Sequence, residues 1–274
     1  MDTSRYAVNC SILLADRPIP DRLAAVKRAG IEAVEFWWPF ATAMPDDAEV
    51  DSFIAAVRAS GLRLVGLNLF AGDMPAGDRG IASWPGREKE LLASARIAAR
   101  IGDELGCPAF NTLYGNRLDG VRTDEQDALA ERNLREVADV LAEIGGTVLV
   151  EPVSGADAYP LKSADDAVAV IERVGGAGAG PSNLGLLLDV YHLSVNGDDV
   201  PAAIERHRSR IAHVQIADAP GRGFPGSGDL PLRTWIDDIT AGGYGGWIAL
   251  EYSSDDADPL GWLAHGNDDG RNLR

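Results

Sequence analysis

Leu184-Gly-Leu-Leu-Leu-Asp189, followed at once by Val-Tyr-His192, is the stretch on which the fold turns. It is too short for a helix and shows no alternation of apolar and polar residues. Both faces of such a strand are buried, as in a parallel sheet covered by helices. Working outward from it, the same form recurs as Ile211–Ile216 and Trp247–Glu251 downstream and as Thr147–Glu151 just upstream. Upstream it recurs as Tyr6–Ser11, Ile31–Phe36, Leu62–Leu69 and Pro108–Leu113. Helical patterns lie between them over Pro20–Ala29, Glu49–Ala59, Gly86–Leu105, Glu125–Ile144, Ser163–Val174, Asp199–His207, Leu232–Thr240 and Leu260–His265. Eight strand-plus-helix units in 274 residues predict an α/β chain folded as a (β/α)8 TIM barrel. A doubly wound open sheet is the rival, and no Gly-x-Gly-x-x-Gly loop follows the first strand to support it. No linker divides the chain, so residues 1–274 read as a single barrel domain with a short polar tail over about 266–274. A Gly-Ala tract, Gly175–Gly180, precedes the sixth strand and reads as flexible.

Twenty-five Lys and Arg against 42 Asp and Glu give a net charge of −17, which opposes a nucleic-acid partner and docking on an anionic membrane. The hydrophobic content of 46% is too high for a disordered chain. Cys10 and Cys107 are too few for a disulfide framework and read as buried thiols of a reducing compartment. The N-terminal residues do not resemble a secretion signal, and no apolar run reaches the length of a membrane helix. The expectation is a cytoplasmic protein with a small-molecule substrate, its oligomeric state left open and a homo-oligomer compatible with it.

A barrel of this kind places its chemistry at the C-terminal ends of its strands. Those ends carry Glu151 on the fifth, Asp189 on the sixth with His192 three residues on, Gln215 and Asp218 on the seventh, and Glu251 on the eighth. His213 lies two residues before Gln215, faces the same side of its strand, and reads as a supporting group. Acids crowded at one mouth raise each other's proton affinity, and a divalent cation relieves this. Glu151, Asp189 and Glu251 with the amide oxygen of Gln215 make four hard oxygen ligands suited to Mg2+ or Mn2+. No nucleophile motif, P-loop or dinucleotide fingerprint is present. What remains is a pair of glutamates, Glu151 and Glu251, able to move a proton between adjacent carbons through a cis-enediolate.

The ordered series Asn68-Leu-Phe-Ala-Gly-Asp73, Gly77-Asp-Arg-Gly-Ile81, Pro85-Gly-Arg87, Glu151-Pro152, Asp189-Val-Tyr-His192, His213-Val-Gln-Ile-Ala-Asp218, Pro220-Gly-Arg222 and Gly245-Gly-Trp-Ile-Ala-Leu-Glu251-Tyr252 resembles the hydroxypyruvate isomerase family of the xylose-isomerase-like barrels. The resemblance runs over nearly the whole chain. It implies that Glu151 and Glu251 are metal-site residues and the proton-transfer pair, with Asp189 and Gln215 completing the metal site. It implies substrate-binding roles for His192 and Arg222, the latter suited to a carboxylate. The implied reaction interconverts hydroxypyruvate and 2-hydroxy-3-oxopropanoate or a close 2-oxo sugar acid.

Two places depart from the family pattern. Gly223-Phe224 stands where His-Glu is common, and Tyr114 stands in place of a smaller residue, so both positions bear on the shape of the pocket. The long loop carrying Asp73, Gly77, Arg79 and Gly80 reads either as a lid or as a surface loop tied down by ion pairs of Arg79 and Arg87. Phe36, Trp37 and Trp38 read as pocket wall or packing. The alternative function is a ketose 3-epimerase of neutral sugars using the same glutamate pair. A DNA-cleaving metal barrel would want more than the chain's 4 histidines and a basic groove. The intact glutamate pair argues against a non-catalytic sugar-acid binder.

Overall fold

Eight short parallel strands close on one another in chain order, β1 to β8, in the computed structural model of the protein. The structure describes residues 4–176 and 180–265. The tail over 266–274 and residues 177–179 of the Gly-Ala tract lie outside the described residues. The strands are β1 Tyr6–Asn9, β2 Ala33–Phe36, β3 Arg63–Asn68, β4 Ala109–Asn111, β5 Thr147–Val150, β6 Leu184–Asp189, β7 Ile211–Ile216 and β8 Ile248–Leu250. The helices between them are α1 Ile19–Arg28, α2 Asp47–Ser60, α3 Glu88–Leu105, α4 Thr123–Ala142, α5 Ala164–Gly175, α6 Val190–Asn196, α7 Val200–His207, α8 Leu232–Ala241 and α9 Trp262–His265. No helix among the described residues is long and apolar enough to cross a membrane.

The continuous apolar character of the strands has two destinations. Val8, Val34, Leu64, Phe110, Val148, Leu186, Leu188, Val214 and Leu250 point outward and join the main core beneath the helices. On the lumen side, Ala7, Ala33, Val65 and Ala249 form one small cluster, and Ala109, Leu149 and Leu187 another. Two residues further along these strands, except on β3, where the register shifts, the side chain returns to the lumen. There stand Asn9, Glu35, Asn111, Glu151, Asp189 and Glu251, all buried. The lumen is thus apolar at its floor and polar at its C-terminal mouth.

Helix ends follow their capping residues. Asp46 and Glu49 form a capping box at the start of α2, and Ser163 and Asp166 form one at the start of α5. Some strands stop short of the expected bounds. β1 ends at Asn9 and β4 at Asn111, while the apolar residues beyond, such as Cys10 and Leu113, are buried within loops that cover the barrel mouth. The helix α6 was not expected from the sequence.

Candidate active site

Glu151 and Glu251 each follow directly on a strand, β5 and β8, and both carboxyls are buried. They are held differently. Glu251 Oε1 accepts from Trp37 Nε1 at 2.6 Å and from Asn9 Nδ2 at 3.0 Å. Its Oε2 accepts no hydrogen bond and lies 3.1 Å from Arg222 Nη2. Glu151 Oε2 accepts from Asn111 Nδ2 at 2.6 Å, and its Oε1 lies 3.9 Å from His192 Nε2.

Asp189 ends β6 and caps α6. Its Oδ1 accepts from the backbone N–H of Tyr191 at 2.8 Å and of His192 at 3.1 Å. Its Oδ2 is left for the site, 3.6 Å from His192 Nε2 and 3.7 Å from Arg222 Nη2. This cap is why a helix of seven residues forms here, and α6 in turn brings His192 over the carboxylates. His192 Nδ1 faces Ser154, accepting from its backbone N–H at 3.1 Å with the hydroxyl at 2.7 Å. An accepting Nδ1 puts the imidazole proton on Nε2, directed at Glu151 and Asp189. Glu151, Asp189 and His192 form a buried group whose ligand atoms lie within 4.8 Å of one another, a group able to hold a divalent cation. Glu251 stands outside that group, with Arg222 between it and Asp189.

Gln215 lies beside Asp189 in the β6–β7 register. Its Nε2 donates to Glu35 Oε1 at 2.6 Å, and its Oε1 is buried without a donor. Glu35, on β2, was missed in the sequence. It accepts from Asn9 Nδ2 at 2.8 Å and from His213 Nε2 at 2.7 Å as well. His213 therefore supports the layer above it, as its place on the strand suggested. Glu35 lies against β3 at Gly66, where a Cβ would come within 3.0 Å of Glu35 Oε2. Glu35 sits inside its apolar run rather than at the end of one, so it lacks the pattern that marked Asp189.

Arg222 adopts φ 53°, the left-handed region that costs a non-glycine residue energy. The loop around it over-determines this conformation. Asp218 and Gly223 exchange backbone hydrogen bonds, and Asp218 also accepts from the N–H groups of Ala219, Gly226 and Leu230. Asp218 thus organises the loop. Arg222 Nε donates to Glu251 O at 3.1 Å, and the guanidinium lies 5.1 Å from the centre of the Tyr191 ring.

Burial and the charge of Asp189 push the Glu151 carboxyl up to about 8. Burial also carries Glu251 well above the usual carboxylate range. Arg222 opposes this rise, and Asp189 and Glu151 add to it. Burial pushes His192 down to about 4 against the pull of Asp189, so the imidazole is neutral near pH 7. Burial acts to lower the pKa of Arg222, but Glu251, Asp189 and Glu151 outweigh it and raise the value.

Glu151 and Glu251 face an inner cavity of about 100 Å3, bounded also by Trp37, Arg79, His192 and Arg222. Trp37 and Met74 are shared with a wider cleft of about 640 Å3, walled by Trp38, Phe40 and Phe70. Trp37 is therefore cavity wall, while Phe36 packs in the core edge-on to Phe53. The two departures from the family pattern point elsewhere. Phe224 stacks on Trp262 at 5.6 Å, and the Tyr114 hydroxyl donates to Asp127 at 2.6 Å.

A closed eight-stranded barrel with buried acids at its mouth defines the class. The chain belongs to the xylose isomerase-like TIM barrel family, which it matches over residues 23–268. It is 44% identical to the "Putative hydroxypyruvate isomerase" of Streptomyces coelicolor, covering 96% of each chain. It is 32% identical to the 2-oxo-tetronate isomerase of Cupriavidus necator, covering 94% of this chain and 97% of that one. Among solved structures it resembles an AP endonuclease, family 2, from Brucella melitensis with a TM-score of 0.84 and 30% identity, covering 96% of this chain and 98% of that one. The chain thus stands in an enzyme family, and the curated relatives it matches are isomerases.

Proposed function

We propose that this protein is a metal-assisted aldose–ketose isomerase of a small hydroxy-oxo acid. The proposed substrates are hydroxypyruvate and 2-hydroxy-3-oxopropanoate or a close 2-oxo acid. The observation that carries the reading is the pair of buried carboxylates, Glu151 and Glu251, held by different partners and facing one small cavity. β5 and β8 are three places apart around the ring, so the two groups approach a bound molecule from different sides.

The donor set suits a hard divalent cation. Gln215 Oε1 is buried without a hydrogen bond, Glu251 Oε2 accepts none and faces only the Arg222 guanidinium, and Asp189 Oδ2 is not used by its cap. With Glu151 they make the four-oxygen set Glu151, Asp189, Gln215 and Glu251, which favours Mg2+ or Mn2+. Such a cation, when bound, supplies polarisation of the substrate carbonyl. The proton on His192 Nε2 makes that residue a donor to a substrate oxygen. Arg222 Nη1 is directed at a second substrate oxygen in this reading. One glutamate takes a proton from carbon 3 of hydroxypyruvate and the other delivers one to carbon 2, while a hydroxyl proton passes from O3 to O2. The carbon intermediate is a cis-enediolate.

The wider cleft beyond Trp37 and Met74 favours a second substrate, a hydroxy-oxo acid longer than three carbons. The likeness to a 2-oxo-tetronate isomerase supports it. The test is incubation of the Mg2+- or Mn2+-loaded protein with hydroxypyruvate, with a four-carbon 2-oxo acid and with neutral ketoses, all in deuterated water. Deuterium incorporation and product from the acids are expected, with Glu151→Gln and Glu251→Gln each losing both. Turnover of neutral ketoses alone would reverse the assignment in favour of an epimerase.

A further inference from the structure

The inner cavity holds two guanidinium groups, and they differ in what they have left to offer. Arg222 donates Nε to Glu251 O, and its Nη2 lies in ion-pair contact 3.1 Å from Glu251 Oε2, so the Nε–Nη2 edge of its fork faces groups of the protein. Arg79 is the reverse. Its Nη1 donates to Met74 O at 3.1 Å and to Asp78 O at 2.7 Å, which fixes the group on its own loop. Among the described residues, no carboxylate lies within ion-pair distance of it and no acceptor is placed on its Nε or Nη2. Arg79 nevertheless lines the inner cavity together with Glu151, His192 and Glu251. The ion pair expected to tie it to its loop is absent, whereas Arg87 on the same connection does pair, with Glu90.

Charge points the same way. With a divalent cation bound and the acids ionised, the three carboxylates Glu151, Asp189 and Glu251 would be balanced by Arg222 and that cation. The charge of Arg79 would then be in excess by one, at the wall of the inner cavity. A bound molecule carrying a single negative charge removes that excess. A free Nε–Nη2 edge is the shape that receives a carboxylate through two parallel hydrogen bonds.

We infer that Arg79 is the carboxylate anchor of the substrate, receiving it on the Nε–Nη2 edge, and so determines selectivity for acids over neutral sugars. This rests on the reading of the substrate as a hydroxy-oxo acid. Arg222 and His192 then engage the oxygens at the reacting carbons.

Two measurements test it on the metal-loaded full chain, in the wild type, Arg79→Met and Arg79→Lys. The first is steady-state kinetics with hydroxypyruvate. Loss of a bidentate charged contact should raise KM about 10- to 100-fold in Arg79→Met while kcat falls far less, with Arg79→Lys in between. The second is calorimetric binding of glycerate, a hydroxy acid that cannot isomerise, whose Kd should rise by a similar factor. A KM and a glycerate Kd unchanged in Arg79→Met would overturn the inference, as would a fall in kcat alone, which would mark Arg79 as loop support. A wild type that turns over no hydroxy-oxo acid yet binds glycerate through Arg79 would refute the reaction and keep the anchor. A wild type that binds no glycerate overturns the anchor.

Discussion

Glu35 is the residue on which the orientation of the site depends, although it faces no cavity. Its carboxylate takes the amide N–H of Gln215, which fixes the amide and leaves Gln215 Oε1 buried without a hydrogen bond. Through Asn9 it is also joined to Glu251, since Asn9 Nδ2 is shared between the two carboxylates at 2.8 Å and 3.0 Å. Replacing it by glutamine sets a second amide against Gln215 and His213 and lets Gln215 rotate. Calorimetric titration of Glu35→Gln with Mn2+ is expected to show affinity reduced about 10- to 100-fold, the usual effect of losing a group that orients a ligand. Unchanged affinity would mean that Gln215 is not a ligand. The acids Glu151, Asp189 and Glu251 were legible in the sequence because each ends an unbroken apolar run. Glu35 was not, because the run Ala33-Val-Glu-Phe36 continues past it into two tryptophans and looks like packing. The direction of a side chain was equally illegible at Phe224 and Tyr114, whose identities were noted correctly and whose partners, Trp262 and Asp127, lie distant in sequence.

Among the elements, the β3–α3 connection carries the most consequence for its length. It was read as lid or tied loop, and its second half is tied. Gly80 bridges to Tyr114, Ser83 N donates to Tyr114 O at 2.8 Å, and Ile81 and Ala82 are buried. The outer part, with Asp73 and Pro75 to Gly77 exposed, is closed by Asp78 accepting from Asp73 N. Gly80 has φ +96°, and a Cβ there would meet Leu113 O at 2.1 Å. Gly80→Ala is therefore expected to cost about 2–4 kcal/mol by urea unfolding, through backbone strain plus a clash that cannot relax. Gly77 has φ +107° with nothing near its Cβ position, so Gly77→Ala should cost only about 1 kcal/mol. Equal costs for the two would show that φ alone governs this loop. The sequence placed the eight strands and their order because short apolar runs alternate with longer helical patterns. It did not show α6, since about two turns started by Asp189 leave too little periodicity to read.

At the scale of the whole molecule, charge and stability meet in the few acids that the fold buries. Of 42 Asp and Glu, most are solvated, and their ion pairs, such as Arg100 with Asp47 and Asp51, contribute little each. The buried group sets how stability changes with pH. Glu151 is raised from 4.5 to about 8, so the folded chain holds a proton that the unfolded chain has released. Its stabilising effect is complete below 4.5 and is lost as pH rises through about 8, and Glu251 acts in the same sense. His192 is lowered from 6.5 to about 4, so its contribution is complete above 6.5 and is lost as pH falls through 4. Above about pH 6.5 the histidine has no further effect and the glutamates decide, so protein in EDTA should melt at progressively lower temperature up to about pH 8.5. A divalent cation requires the same carboxylates in their ionised form, and its binding adds stability only to the folded chain. Melting curves with excess Mg2+ should therefore diverge from those in EDTA as pH rises, with the increase in Tm larger at about pH 8.5 than at about pH 6.5. A shift independent of pH would place the cation elsewhere than on Glu151 and Glu251. A falling Tm in EDTA with no response to Mg2+ or Mn2+ would leave the buried acids as a proton store and remove the cation from the proposed reaction.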